Sequence, residues 1–216
     1  MKSALKMTAI ACLMAAATSA FAGPTATLRI TGTITPGACT PVLGNGGIID
    51  FGATSVDQLP NTGTLALAAR SVTATVTCTG ATKVAMSFVD NRADSVAAHS
   101  NEPTSATTAF GLGKAGDVNI GSYGLSISAI NGDATAGDLL MSSDKTAWSK
   151  MTLDTLLNNN TARQYLTYAT TGTTAPKEAT VFTFDLKATP ALSADLRGIT
   201  ETANLDGNAT INFEYL

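Results

Sequence analysis

Few side chains in this sequence are placed to do chemistry. His99 is the single histidine and lies in the polar run "AAHSNEP". Nucleophilic catalysis needs a base aimed at a nucleophile and held by a third group. No such motif surrounds His99, which reads as a surface residue. "GLGKAG", Gly111 to Gly116, sets a lysine among glycines. A phosphate-binding loop would need glycine where Thr108 stands and Ser or Thr where Ala115 follows Lys114, so this stretch reads as a loop. Asp133 and Asp138 in "NGDATAGD" lack the spacing of a calcium loop. Trp148, the only tryptophan, has the right face to stack on a sugar but reads as packing. The sequons at Asn159 and Asn208 carry no weight without glycosylation. The expectation is a chain with no catalytic residues, no metal and no cofactor.

The cysteines are more informative. Cys39, Cys78 and the single histidine show no metal-ligand spacing, so the cysteines' chemistry depends on redox compartment. The first residues decide that. Lys2 and Lys6 give a positive start, Met7 to Ala17 is apolar apart from Thr8, and Ala20-Phe21-Ala22 has the small-x-small form of a cleavage site. This pattern predicts a secretory signal peptide over 1–22; its apolar run is shorter than the roughly 20 residues of a membrane span. Cys12 leaves with the signal. Cys39 and Cys78 remain, an even pair in an exported chain, and are expected to form a disulfide. Closing the loop from 39 to 78 stabilises by about 4 kcal/mol on the chain-entropy model.

Charge excludes one class of partner. The chain has 216 residues and a net charge of −3. Loss of Lys2 and Lys6 leaves 11 basic and 16 acidic residues, a net charge of −5 for 23–216. There is no Lys/Arg cluster, so no nucleic acid is expected as partner.

The elements carrying these residues alternate with period two. "SVTATVTC" sets Val72, Ala74, Val76 and Cys78 against Thr73, Thr75 and Thr77. "KVAMSF", "GLSISA" and "TVFTFDLK" behave alike, and "GIIDFG" predicts a short strand after the turn Gly44 to Gly47. Turn-rich stretches separate them, and Thr146 to Tyr168 reads equally as short helix or loop. Many short alternating strands with polar turns predict an all-β antiparallel sandwich.

Both ends of the mature chain are alternating strands. In "LRITGTITPGAC", Leu28, Ile30, Gly32 and Ile34 share one face, before Pro36-Gly37 breaks the pattern. In "NATINFEYL", Ala209, Ile211, Phe213 and Tyr215 share one face, running out to Leu216. An uncovered edge of this kind is an aggregation hazard. A strand from another copy, laid beside the last one, resolves both ends. Glycine in the middle of that strand allows close backbone approach.

The order of these features resembles the subunits of chaperone–usher fimbriae. The matching parts are the signal peptide, the alternating extension with central Gly32, and Cys39 seven residues later. "IDFG" at Ile49 to Gly52, "TATVTC" ending at Cys78, and "INFEYL" with penultimate Tyr215 complete the series. The resemblance implies an incomplete immunoglobulin-like antiparallel β-sandwich over 38–216, with a donor-strand extension over 23–37. It implies that Leu28, Ile30, Gly32 and Ile34 enter a neighbouring subunit. It also implies that Ala209, Ile211, Phe213, Tyr215 and Leu216 form the acceptor and chaperone-contacting strand. The implied partners are a periplasmic chaperone, an outer-membrane usher and other fimbrial subunits, copies of this chain among them. The implied place is a cell-surface fimbrium reached through the periplasm, with a part in cell adhesion. The competing expectation is a self-contained secreted carbohydrate-binding module, or a tip adhesin.

Overall fold

In the computed structural model of the chain, the described residues are 26–32, 38–97, 105–159 and 162–216. Residues 1–22, expected to be a signal peptide, Ile34, the break at Pro36-Gly37 and His99 lie outside them. The chain divides into two units, 1–35 and 36–216. In the first, residues 26–32 form no strand and are exposed.

The second unit is built from strands and short 3₁₀ turns. In chain order the strands are β1 (Cys39–Leu43), β2 (Thr64–Ala66), β3 (Arg70–Thr82), β4 (Val84–Asp90) and β5 (Phe110–Gly111). Then follow β6 (Lys114–Ala115), β7 (Val118–Asn119), β8 (Gly121–Gly132), β9 (Thr135–Ala136) and β10 (Asp138–Ser142). The rest are β11 (Ser149–Met151), β12 (Tyr165–Ala169), β13 (Ala179–Ser193) and β14 (Ala209–Tyr215). One sheet has the order β1-β3-β13-β8-β5, with β2 on β13 and β9 on β8. The other has the order β11-β10-β12-β4-β14, and β6 with β7 makes a small hairpin. All the strand pairs are antiparallel. Among the described residues no helix is long and apolar enough to cross a membrane.

Alternation explains the layers. Val72, Ala74, Val76 and Cys78 of β3 are buried, and so are Phe182, Phe184 and Leu186 of β13. They meet Val84, Met86 and Phe88 of β4 and Leu166 and Tyr168 of β12 in a single core. Aromatic contacts cross between the sheets: the Phe184 and Phe213 rings are 6.1 Å apart, as are Tyr168 and Phe182. The outward faces keep threonine, which suits a solvated pleated surface. The expected all-β antiparallel sandwich is therefore present.

Cys39 and Cys78 are bonded and sit opposite each other in the β1–β3 pairing. The bridge indicates an oxidising environment, as in exported chains.

Two stretches differ from the sequence reading or resolve it. "GIIDFG" is not a strand: 48–55 carries no ladder, although Ile49 and Phe51 pack partly buried on the core. A strand exists only with a neighbour to bond, and among the described residues Ile49 and Phe51 make no backbone hydrogen bond. The stretch 146–168 is neither a helix nor one loop. It contains β11, an irregular run and the start of β12.

Candidate functional site

The candidate site is the open side of the sandwich, between β1 and β14. β14 alternates in burial from Ala209 to Phe213 and pairs along its whole length with β4, from Ala209 opposite Asp90 to Tyr215 opposite Val84. Its other edge has no strand beside it among the described residues, and neither does the outer edge of β1. The other outer strands of the two sheets, β11, β5, β2 and β9, are two or three residues long, short enough to be protected. β14 has seven residues.

One end of the gap is tied. The Cys39 backbone N–H donates to the Tyr215 hydroxyl at 2.9 Å, which links the start of β1 to the end of β14 beside the disulfide. Leu216 N–H donates to the Lys83 carbonyl at 3.1 Å. Beyond the tie the two edges part over a groove of about 400 Å³. Apolar side chains line it: Leu43, Ile49 and Phe51 on one side, Ala209 and Ile211 on the other, over Val72 and Leu186, with Tyr123 and Asn208 among the polar groups beside them. Ile48, Ile49, Phe51 and Leu205 also line a neighbouring recess of about 960 Å³, whose floor includes Leu59, Ile120 and Leu196.

The walls are held from outside. Arg70 donates to the Asp50 carbonyl at 2.7 Å and its guanidinium lies 5.8 Å from the Phe51 ring. Opposite, Arg92 pairs with Asp206 at 2.6 Å, and Asp206 N–H donates to the Leu112 carbonyl. Arg92 is placed in turn by buried Asp90, whose carboxylate accepts from Arg92 N–H and Gly111 N–H at 2.8 and 2.9 Å. Tyr123 lines the groove with its phenol pushed up by burial and, less, by the Asp90 charge. Gly207 is required here, because a Cβ would lie 2.9 Å from the Tyr123 ring.

The acceptor residues expected from sequence do lie together on this edge. Ala209, Ile211 and Phe213 are partly buried against the core, while Tyr215 is 55% exposed and acts through its hydroxyl. Of the donor residues, Leu28 and Ile30 are 85% and 88% exposed, and Gly32 has no atom within 4 Å of where a Cβ would be. The residues weighed for other chemistry are engaged elsewhere. The Asp133 carboxylate accepts from Thr180 Oγ1, Thr180 N–H and Val181 N–H, and Asp138 binds Lys150 and Gly172 N–H. Among the described residues no group of three or more His, Cys, Asp or Glu could hold a metal. The sequence reading missed Arg70, Arg92, Asp206 and Tyr123. Each acts on a residue far away in sequence, so no local pattern points to them.

Comparison with known proteins gives two full-length likenesses. The uncharacterized protein YhcF of Escherichia coli (strain K12) is 31% identical over 227 residues, covering 93% of this chain and 94% of YhcF. The chain belongs to the family of YhcF. The protein GltF of the same organism is 32% identical over 224 residues, 88% of this chain and 87% of GltF. A family described as a protein of unknown function (DUF1120) matches residues 28–124. In this member of the YhcF family, that match takes in the exposed Leu28–Gly32 stretch, both cysteines and one wall of the groove.

Proposed function

We propose that this chain is a structural subunit of a surface fimbria. It folds with a periplasmic chaperone, passes an outer-membrane usher, polymerises by donor-strand exchange, and so contributes to cell adhesion. The observation that carries this reading is the unpaired edge of β14 standing over an open apolar groove. Residues 28–35 of a second copy suit that space. Their backbone would bond to β14 on one side and to the Ile49–Phe51 stretch on the other, where "IDFG" would complete the strand it lacks. Leu28, Ile30 and Ile34 would enter the groove. At about 1.5–3 kcal/mol per large aliphatic side chain fully buried, the apolar gain is several kcal/mol before ordering costs.

The test is deletion of 23–35. The expected product folds, melts like the unaltered subunit, is recovered as a one-to-one complex with its chaperone, and forms no polymer. A deletion product that cannot fold or bind the chaperone would place those residues in their own sheet and overturn the reading.

A further inference from the structure

Residues 199–208 carry the chain from the 3₁₀ turn Ala194–Gly198, which follows β13, to the start of β14. They contain no helix or strand. Among the described residues, 200–205 make no hydrogen bond, through backbone or side chain. Backbone groups without protein partners are left to water. Of 199–205, only Ile199 and Ala203 pack on the core. A segment with few buried contacts and no internal hydrogen bonds has low local stability. Its two ends, by contrast, are held. At one, Arg197 bonds the Leu59 carbonyl and Ile199 N–H donates to the Leu196 carbonyl at 3.2 Å. At the other, Asp206 pairs with Arg92 and its N–H donates to the Leu112 carbonyl.

Space lies on both sides of this segment. The recess of about 960 Å³ lies between it and 48–56. A second cavity, of about 540 Å³, lies between it and the β6–β7 hairpin. Residues 199–204 line both, so the segment is a thin wall between them. The recess side is floored by Leu59, Ile120, Leu192 and Leu196. The hairpin side offers Lys114, Ala115, Gly116 and Val118. A wall with a void on each side forfeits dispersion contacts on both, so packing fixes no single position for it.

We propose that 199–205 is a movable strap, anchored at Arg197 and Asp206, that opens and closes the apolar recess. Moved toward 48–56, it lays Ile199 and Leu205 over the apolar floor and shuts the recess. Moved toward the hairpin, it leaves that floor open. Burial of apolar surface favours the closed position, and the chain freedom lost on packing the strap down opposes it. Leu205, Ile48, Ile49 and Phe51 line the groove as well as the recess. The closed strap therefore ends the groove at Leu205, and the open strap lets groove and recess run together. The strap thus sets how much apolar surface the open side of the sandwich offers to an occupant.

The test uses the mature chain as a monomer, with its own disulfide intact. Ala203→Cys is combined with Ala53→Cys across the recess, and separately with Ala115→Cys across the second cavity. Ala53 is exposed and Ala115 and Ala203 are half-buried, so the variants should melt like the unaltered chain before oxidation. A strap that visits both positions forms both bridges under the same oxidising conditions. A fixed strap holds Ala203 within the roughly 4 Å Cβ separation of a disulfide from at most one of the two partners, so one bridge or none overturns the proposal. The second readout is fluorescence of a dye that binds exposed apolar surface. Bridging to Ala53 should lower it below that of the Ala203→Cys single variant, and bridging to Ala115 should not. Equal dye binding by the two bridged forms would show that the strap does not gate the recess. Neither measurement needs a second copy of the chain, so the proposal stands or falls apart from the donor-strand reading.

Discussion

Gly132 and Gly137 show how a single residue can be fixed by what faces it. They close on the ring of Tyr168 from either side of the β8–β9 turn. A Cβ at Gly132 would lie 2.4 Å from Tyr168 Cε1, and one at Gly137 would lie 2.3 Å from Cε2 and 2.2 Å from the Ala169 carbonyl. The ring itself donates its hydroxyl to the Thr135 carbonyl at 3.2 Å. Overpacking of this kind typically costs about 1–3 kcal/mol, so Gly137→Ala should lower the melting temperature by several degrees, read by calorimetry. The sequence marks this stretch as a turn. It does not show the glycines' role, because the ring they admit comes from another strand. The acidic turns set the pH response. Asp133 is held below the usual carboxylate range by Thr180 and Val181, and Asp144 by the Thr146 N–H and hydroxyl. A lowered carboxylate stabilises fully above its unfolded value of about 3.9 and loses that contribution as pH falls through its folded value. Lys145 is raised by Glu214, so its contribution is full below about 10.4 and lost as pH rises through the folded value. Melting temperature should therefore be insensitive to these groups from about pH 5 to 9, falling on both sides. Asp144→Asn should flatten the acid limb.

At the scale of elements, the edges of β1 and β14 matter most, and the disulfide and Tyr215 hold them at one end. Tyr215→Phe deletes the acceptor for Cys39 N–H, a change of about 0.5–1.5 kcal/mol, or roughly 2–5 °C for a chain of this size. Tyr215→Ala should cost less than the 3–5 kcal/mol of a fully buried aromatic, because the ring is half exposed. Reducing the disulfide should lower stability by about 4 kcal/mol, measured by denaturant unfolding with and without a thiol. Gly32→Leu should leave the monomer's melting unchanged, since a side chain there meets nothing within 4 Å, and should block assembly. Equal loss of monomer stability would mean that Gly32 packs within its own domain. The long strands were legible from alternation alone: β3, β4, β8, β13 and β14 fall where period two puts them. "IDFG" was not, because a strand needs a partner as well as a pattern.

The unit 36–216 is a sandwich whose class follows from its sequence and whose sheet order does not. β13 lies between β3 and β8, and β4 between β12 and β14. These pairings join residues as far apart as Val84 and Tyr215, and alternation says nothing about which strand adopts which neighbour. The gap between β1 and β14 is a property of that order, so the groove was legible only as two ends in need of a cover. The account's central claim is that this edge receives a strand from another copy. Hydrogen exchange along β14, in the chaperone-free monomer and in the assembled state, tests it most directly. Amides of 209–215 that point away from β4 should exchange rapidly in the monomer and become protected on assembly, together with amides of 28–34. Protection of those β14 amides already in the monomer, or none gained on assembly, would contradict the account.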